Sequence, residues 1–236
     1  MRDPRRIRYH TLKNKSFFSN WSVTNWLILI NIVFFAAAFP IISYSQKALA
    51  YIALQPIAFA SGKYIWTLIT SMFMHGNFFH LLINMFVLFQ LGNLCEKIIG
   101  RRRYLWFYLI SGITAGLAFV LAAYFFGNSD LGARIFGSPE IAAVGASGAI
   151  FAIAGLFMIL TPKLRFAIVF FPFFSLPAYI MIPLVLFVTW LVSIGAGIGI
   201  GNTAHLGGFL VGLFYALYLK DKYKRKTKMI AEYFSG

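Results

Sequence analysis

Gly145-Ala146-Ser147-Gly148 opens an apolar stretch that runs without a charge to Leu160 and is closed by Thr161-Pro162. Small residues at the start and proline just past the end predict a helix over Ser147–Leu160. A helix apolar on every side lies in a large core or in a membrane. The rest of the chain favours the membrane. It has 236 residues, 60% of them hydrophobic and 11% charged, and a mean hydropathy of +0.78. That is too apolar for an ordinary soluble domain. Comparable runs lie at Val23–Phe39, Phe78–Leu94 and Tyr104–Phe126, in the second part of Phe166–Ile194, and at His205–Leu219. At about 1.5 Å per residue the longer ones reach most of the way across a hydrocarbon core of about 30 Å. The expected fold is an all-α polytopic membrane protein, a bundle of six transmembrane helices.

The charges agree with six spans. The net charge is +15, and the basic residues sit between the apolar runs. With both termini inside, the inner segments hold 18 of the 21 Lys and Arg residues; the outer segments hold only Lys47, Lys63 and Arg134. This is the positive-inside asymmetry, and five or seven spans would break it. It reads as topology and lipid contact, with no nucleic-acid site implied. Three parts follow: a basic cytoplasmic head at 1–20, a six-helix domain at 21–220 and a basic cytoplasmic tail at 221–236. Residues 41–66 are too broken to span, and their aromatics suit the interface. Pro172, Pro177 and Pro183 predict an interfacial or kinked start to the fifth span. The head has no apolar core of a cleavable signal. A single cysteine, Cys95, excludes an intrachain disulfide framework.

Topology then gathers the polar residues. Ser147 and His205 each start a span from the outer side, and His80 and Asn84 lie in the outer half of the second span. From Ser147 to Lys163 is 16 residues and from His205 to Lys220 is 15, roughly 24 and 22 Å of helix. Both fall short of the core thickness, so these side chains are expected below the outer surface, in a recessed, water-filled pocket. Gly208 and Gly212 on one helix, with Gly148, Ala152 and Gly155 on the other, allow close packing. A serine hydroxyl needs a base, and neutral histidine suits that role. The helix start at Ser147 favours a developing oxyanion, and His80 and Asn84, one turn apart, could donate to it. Asp130 and Glu140 lie in the outer loop and Glu96 at the inner end, so the expectation is a Ser147–His205 dyad without a carboxylate.

These residues resemble the rhomboid family of intramembrane serine proteases. The resemblance rests on His75-x4-His80-x3-Asn84, Gly92-x3-Glu96-x3-Gly100, Gly145-x-Ser147-Gly148 and Ala204-His205-x2-Gly208-x3-Gly212, in that order. It implies a six-span core over about residues 20–220 and cleavage of membrane-protein substrates, single-span or polytopic, within or near a transmembrane helix in the lipid bilayer. It implies no metal and no other cofactor. It also implies that Asn84, His80 and the Ser147 amide form the oxyanion site, beside Gly145 of the nucleophile motif, and that the fifth span gates substrate entry. Two positions depart from the pattern. Thr67 follows Trp66 where the family often has arginine, and Phe151 stands where it often has a tyrosine stacked on the histidine. A prokaryotic plasma membrane is the expected location, because the chain is little more than the core.

Simpler readings stand beside these. A lone serine in an apolar helix is usually a packing or back-bonded residue, whereas an intramembrane histidine is functional by default. His75 could be structural, Glu96 a partner for inner basic residues, and Cys95 inert. A metal site using His75, His80 and His205 is a rival, but no HExxH motif and no nearby carboxylate supports it. A transporter should show internal repeats, and none is visible. A non-catalytic rhomboid-like protein that binds client helices is the alternative within the family.

Overall fold

The computed structural model describes residues 21–168, 171–197 and 201–235. In chain order the elements are α1 (Val23–Tyr44), α2 (Gln46–Ala50), α3 (Pro56–Ala60), α4 (Thr67–Thr70), α5 (Phe78–Ile99), α6 (Arg101–Phe126), α7 (Asp130–Phe136), α8 (Ser147–Leu160), β1 (Arg165–Ile168), β2 (Phe171–Pro177), α9 (Ala178–Ala196), α10 (Asn202–Lys222) and α11 (Lys224–Tyr233). The predicted basic head, residues 1–20, lies outside the described residues, as does part of the glycine run before α10.

α8 is the centre. Ten of its 14 residues are buried, and α5, α6, α9 and α10 pack around it. Among the described elements, its partnership with α10 is the most extensive. A Cβ built on Gly208 would lie 1.9 Å from the Gly148 carbonyl oxygen, and one on Gly212 would lie 1.9 Å from that of Ala152. Only hydrogen fits there, so the two backbones touch. The main core joins Leu88, Tyr104, Tyr108, Ile153, Leu156 and Phe157, all fully buried. Large apolar side chains such as Val33, Phe89, Leu121 and Phe187 face outward from α1, α5, α6 and α9. In water such a surface would aggregate; in lipid it is the expected exterior.

Helix ends carry the usual chemistry. Ser22 caps α1 through its side chain, and Asn77 caps α5 by accepting from the His80 amide. Gly100, at φ 89°, turns the chain directly from α5 into α6, a backbone angle that glycine adopts without a Cβ clash. Glu96 is buried and accepts hydrogen bonds from the Val23 and Thr24 amides, each at 3.1 Å, and from Thr24 Oγ1. It also pairs with Arg101 at 3.4 Å. Its role as a partner for basic residues is therefore joined by a second one: it satisfies the free amides at the start of α1.

Several expectations need correction. α1 continues one turn past Pro40, because proline removes a single amide and the next turn still bonds. The polar loop after α6 contains α7, capped by Ser129. The first part of the apolar run after α8 holds β1 and β2, paired antiparallel, so among the described residues the fold is mostly helical with a two-stranded sheet. The basic tail contains α11. Among the described residues four helices, α1, α5, α6 and α9, are long and apolar enough to cross a membrane. α8 is shorter, at 14 residues, about 21 Å.

Candidate active site

Ser147 is the first residue of α8 and His205 lies in the first turn of α10. The backbone contact at Gly148 and Gly208 draws these two starts together. His205 Nε2 lies 2.9 Å from Ser147 Oγ, an ordinary hydrogen bond for a hydroxyl and an imidazole. Nε2 can accept the hydroxyl proton only in the tautomer that keeps hydrogen on Nδ1. His205 Nδ1 is buried with no hydrogen-bond partner among the described residues, so no carboxylate orients the ring. Phe151, one turn into α8, supplies orientation by packing: its ring stacks on His205 at 4.5 Å between centroids and 25° between planes.

The approach to Ser147 is fixed by Gly145. Its φ is 130°, a region that other residues avoid. Its amide donates to the Ser71 carbonyl at 2.8 Å. A Cβ there would sit 3.1 Å from His80 Nε2 and 3.6 Å from Ser147 Oγ. The missing side chain thus leaves a small space flanked by both groups. Further back, Leu54 and Ala143 exchange backbone hydrogen bonds of 2.9–3.0 Å, and Ile57 donates to the Pro139 carbonyl. The segment after α1 is thereby laced to the loop that presents Ser147.

His80 lies on the first turn of α5, half-buried, and its ring meets that of His75 edge to face at 5.1 Å. Asn84, one turn further, is buried and donates from Nδ2 to the His80 carbonyl at 2.8 Å. One of its two amide hydrogens is thus engaged within its own helix, and the other is the one an oxyanion could use. His75 is fully buried in the connection between α4 and α5. Burial, reinforced by the nearby His80, lowers its pKa to about 3, so it is neutral near pH 7. Among the described residues no three His, Cys, Asp or Glu side chains gather in a metal-ligating group.

Sequence reasoning did not anticipate the contributions of Ser71, Leu54 and Ala143, which act through backbone atoms and carry no side-chain signal. It also left open how the loop holds together with Thr67 in place of arginine. Thr67 is buried and its Oγ1 donates to the Tyr64 carbonyl at 2.7 Å; Trp66 Nε1 donates to the Tyr51 carbonyl at 2.9 Å.

The family model for the rhomboid domain matches residues 62–222, a segment that carries His75, His80, Asn84, Gly145, Ser147, Phe151 and His205. The chain belongs to the rhomboid family. It is similar to RHOMBOID-like protein 5 of Arabidopsis thaliana, 31% identical over 67% of this chain and 46% of that protein. It is similar to rhomboid protease AarA of Providencia stuartii, 32% identical over 64% of this chain and 55% of that protein. It also resembles the human mitochondrial presenilin-associated rhomboid-like protein, 26% identical over 64% of this chain and 37% of the relative. The match thus spans about half or less of these relatives' lengths. As a rhomboid the chain is an integral membrane protein. Plant and mitochondrial relatives stand beside the bacterial one, so the expectation of a prokaryotic plasma membrane has no support from this likeness.

Proposed function

We propose that this rhomboid is an intramembrane serine endopeptidase that cleaves transmembrane segments of other membrane proteins through a Ser147–His205 dyad. The observation that carries the reading is the 2.9 Å contact between Ser147 Oγ and His205 Nε2, with Phe151 stacked on the imidazole. Ser147 Oγ attacks the scissile carbonyl carbon while His205 Nε2 takes its proton. The oxyanion forms at the start of α8, where backbone amides are free, and His80 and Asn84 act as side-chain donors. His205 then protonates the leaving amine. A water, deprotonated by the same nitrogen, hydrolyses the acyl-enzyme and regenerates the serine.

The reading includes six spans, with α8 and α10 completing the four longer helices, and both termini on the basic side. α8 is too short to cross the full core, so Ser147 opens into a water-filled recess on the opposite side. The substrates are single-span or polytopic membrane proteins. The likeness to a bacterial relative named as a protease favours catalysis over the alternative, a non-catalytic rhomboid that binds client helices.

The test is cleavage of a labelled single-span substrate by the purified protein in liposomes, beside Ser147→Ala and beside a chelator-treated sample. Cleavage that survives chelator and disappears in the variant is expected. Cleavage lost to chelator would move the chemistry to a metal. Binding of clients without cleavage across a broad substrate panel would favour the non-catalytic alternative.

A further inference from the structure

A second concave site lies between α6 and α10, opening at the basic end of the bundle. Its volume is about 460 Å³, and it is lined by Arg102, Arg103, Trp106, Ile110, Ser111 and Val211, with Phe107 and Tyr215 stacked at 5.0 Å between them. The residues on α6 recur at helical spacing, 102, 106 and 110 in one row and 103, 107 and 111 in the next. They therefore form a stripe along the helix. From Arg103 to Ser111 the stripe covers about 12 Å, less than half of a hydrocarbon core of about 30 Å. The groove thus starts at the interface and stays within one leaflet.

Among the described residues no carboxylate pairs with Arg102 or Arg103 at its mouth. The acidic side chains at this end, among the described residues, are engaged elsewhere: Glu96 with Arg101, Asp221 with Lys224 and Glu232 with Lys228. Among the described residues Arg103 meets the Tyr223 hydroxyl, at 3.4 Å, and the face of that ring, and no carboxylate. Trp106 and Ile110 are both more than half exposed, and tryptophan favours the level of the lipid headgroups. A further sign is Ser111. It is fully buried, and its Oγ has no hydrogen-bond partner among the described residues, although a helical serine ordinarily bonds a carbonyl one turn back.

We propose that this groove binds an anionic glycerophospholipid of the leaflet facing the basic end. The phosphate sits at Arg102 and Arg103, and an acyl chain runs along Trp106, Ile110 and Val211. Two guanidinium groups without a carboxylate match a phosphate, and basic pockets between membrane helices at this level suit acidic headgroups. A helix of about 10 Å diameter does not fit a cavity of this size; a headgroup and the start of a chain do.

The test is lipid retention by the delipidated, purified protein, read by native mass spectrometry. Phosphatidylglycerol and phosphatidylcholine with identical chains are compared. At about 1 kcal/mol per arginine, the wild type is expected to prefer phosphatidylglycerol about thirty-fold. The R102Q/R103Q double variant should lose that preference, and a K224Q/R225Q/K226Q variant on α11 should keep it. V211W, or I110W from the facing wall, fills the groove without touching the charges and should lower phosphatidylglycerol binding about ten-fold. Glycerol 3-phosphate should not displace the lipid at equal concentration. Equal retention of the two lipids, an unchanged preference in R102Q/R103Q, or an equal loss in the α11 variant would overturn the assignment. So would wild-type binding by both groove-filling variants, or displacement by glycerol 3-phosphate. The readout is independent of proteolysis, so it fails or succeeds separately from the catalytic reading.

Discussion

Gly208→Ala is a one-methyl test of how the dyad is assembled. The added Cβ would lie 1.9 Å from the Gly148 carbonyl oxygen, whereas a carbon and a carbonyl oxygen tolerate about 3.3 Å. The α8 and α10 backbones must therefore part by about 1.4 Å. Gly148 adjoins Ser147, and Gly208 is one turn from His205, so the displacement falls on the proposed Ser147–His205 dyad. The Ser147–His205 contact would open from 2.9 Å to about 4 Å, outside the reach of about 3.2 Å that proton transfer needs. A misplacement of that size costs about 100-fold in kcat, and overpacking costs about 1–3 kcal/mol of stability. The assay is cleavage of a single-span substrate in liposomes, with thermal unfolding followed in parallel. Gly195→Ala is the control, because a Cβ there meets nothing within 4 Å; it should keep near wild-type kcat. Wild-type turnover by Gly208→Ala, or an equal loss in Gly195→Ala, would refute the link from backbone contact to dyad geometry.

Phe151→Ala removes the ring stacked on His205; aromatic pairs contribute about 0.5–1.5 kcal/mol, so kcat should fall about 2- to 10-fold with KM little changed, as read from substrate titrations. Glu96→Ala strips the acceptor from the first amides of α1 and from Arg101. Hydrogen bonds to a charged group are worth about 1.5–3 kcal/mol, and a loss of at least that order is expected in thermal unfolding, with the dyad itself intact. His75 gives a pH dependence whose sign is fixed by its lowered pKa, about 3 when folded against 6.5 for a free histidine. Its contribution is whole above pH 6.5 and declines as the pH falls towards 3, since the unfolded chain then binds the proton first. The wild type should therefore lose more thermal stability between pH 7 and pH 4.5 than His75→Asn does; an equal loss in both would count against this.

The central helix and its serine were readable because several signals agreed. Ser147–Leu160 is bounded by glycine on one side and proline on the other, and the observed α8 has those limits. Ser147 and His205 were readable as a pair because Gly148 and Gly208 mark where two backbones touch. The hairpin after α8 was not readable. Its run of phenylalanine, isoleucine and proline has neither the period of a helix nor that of a half-buried strand. α7 did carry signals, Ser129 before it and Gly137 after it, but at seven residues it presents too little periodicity to stand out in a polar loop. The lacing of Leu54 to Ala143 and of Gly145 to Ser71 lies wholly in the backbone, and no residue type announces it. Glu96 could be read as a charge partner, but its bonds to the start of α1 join residues more than 70 positions apart.

The most direct test of the Ser147–His205 dyad is labelling by a fluorophosphonate, which reacts with activated serines, followed by peptide mass spectrometry. A single adduct on Ser147 is predicted in the wild type, with labelling lost in His205→Ala and the protein still folded. Absence of an adduct on Ser147, or equal labelling of Ser147 without the histidine, would contradict nucleophile activation by His205.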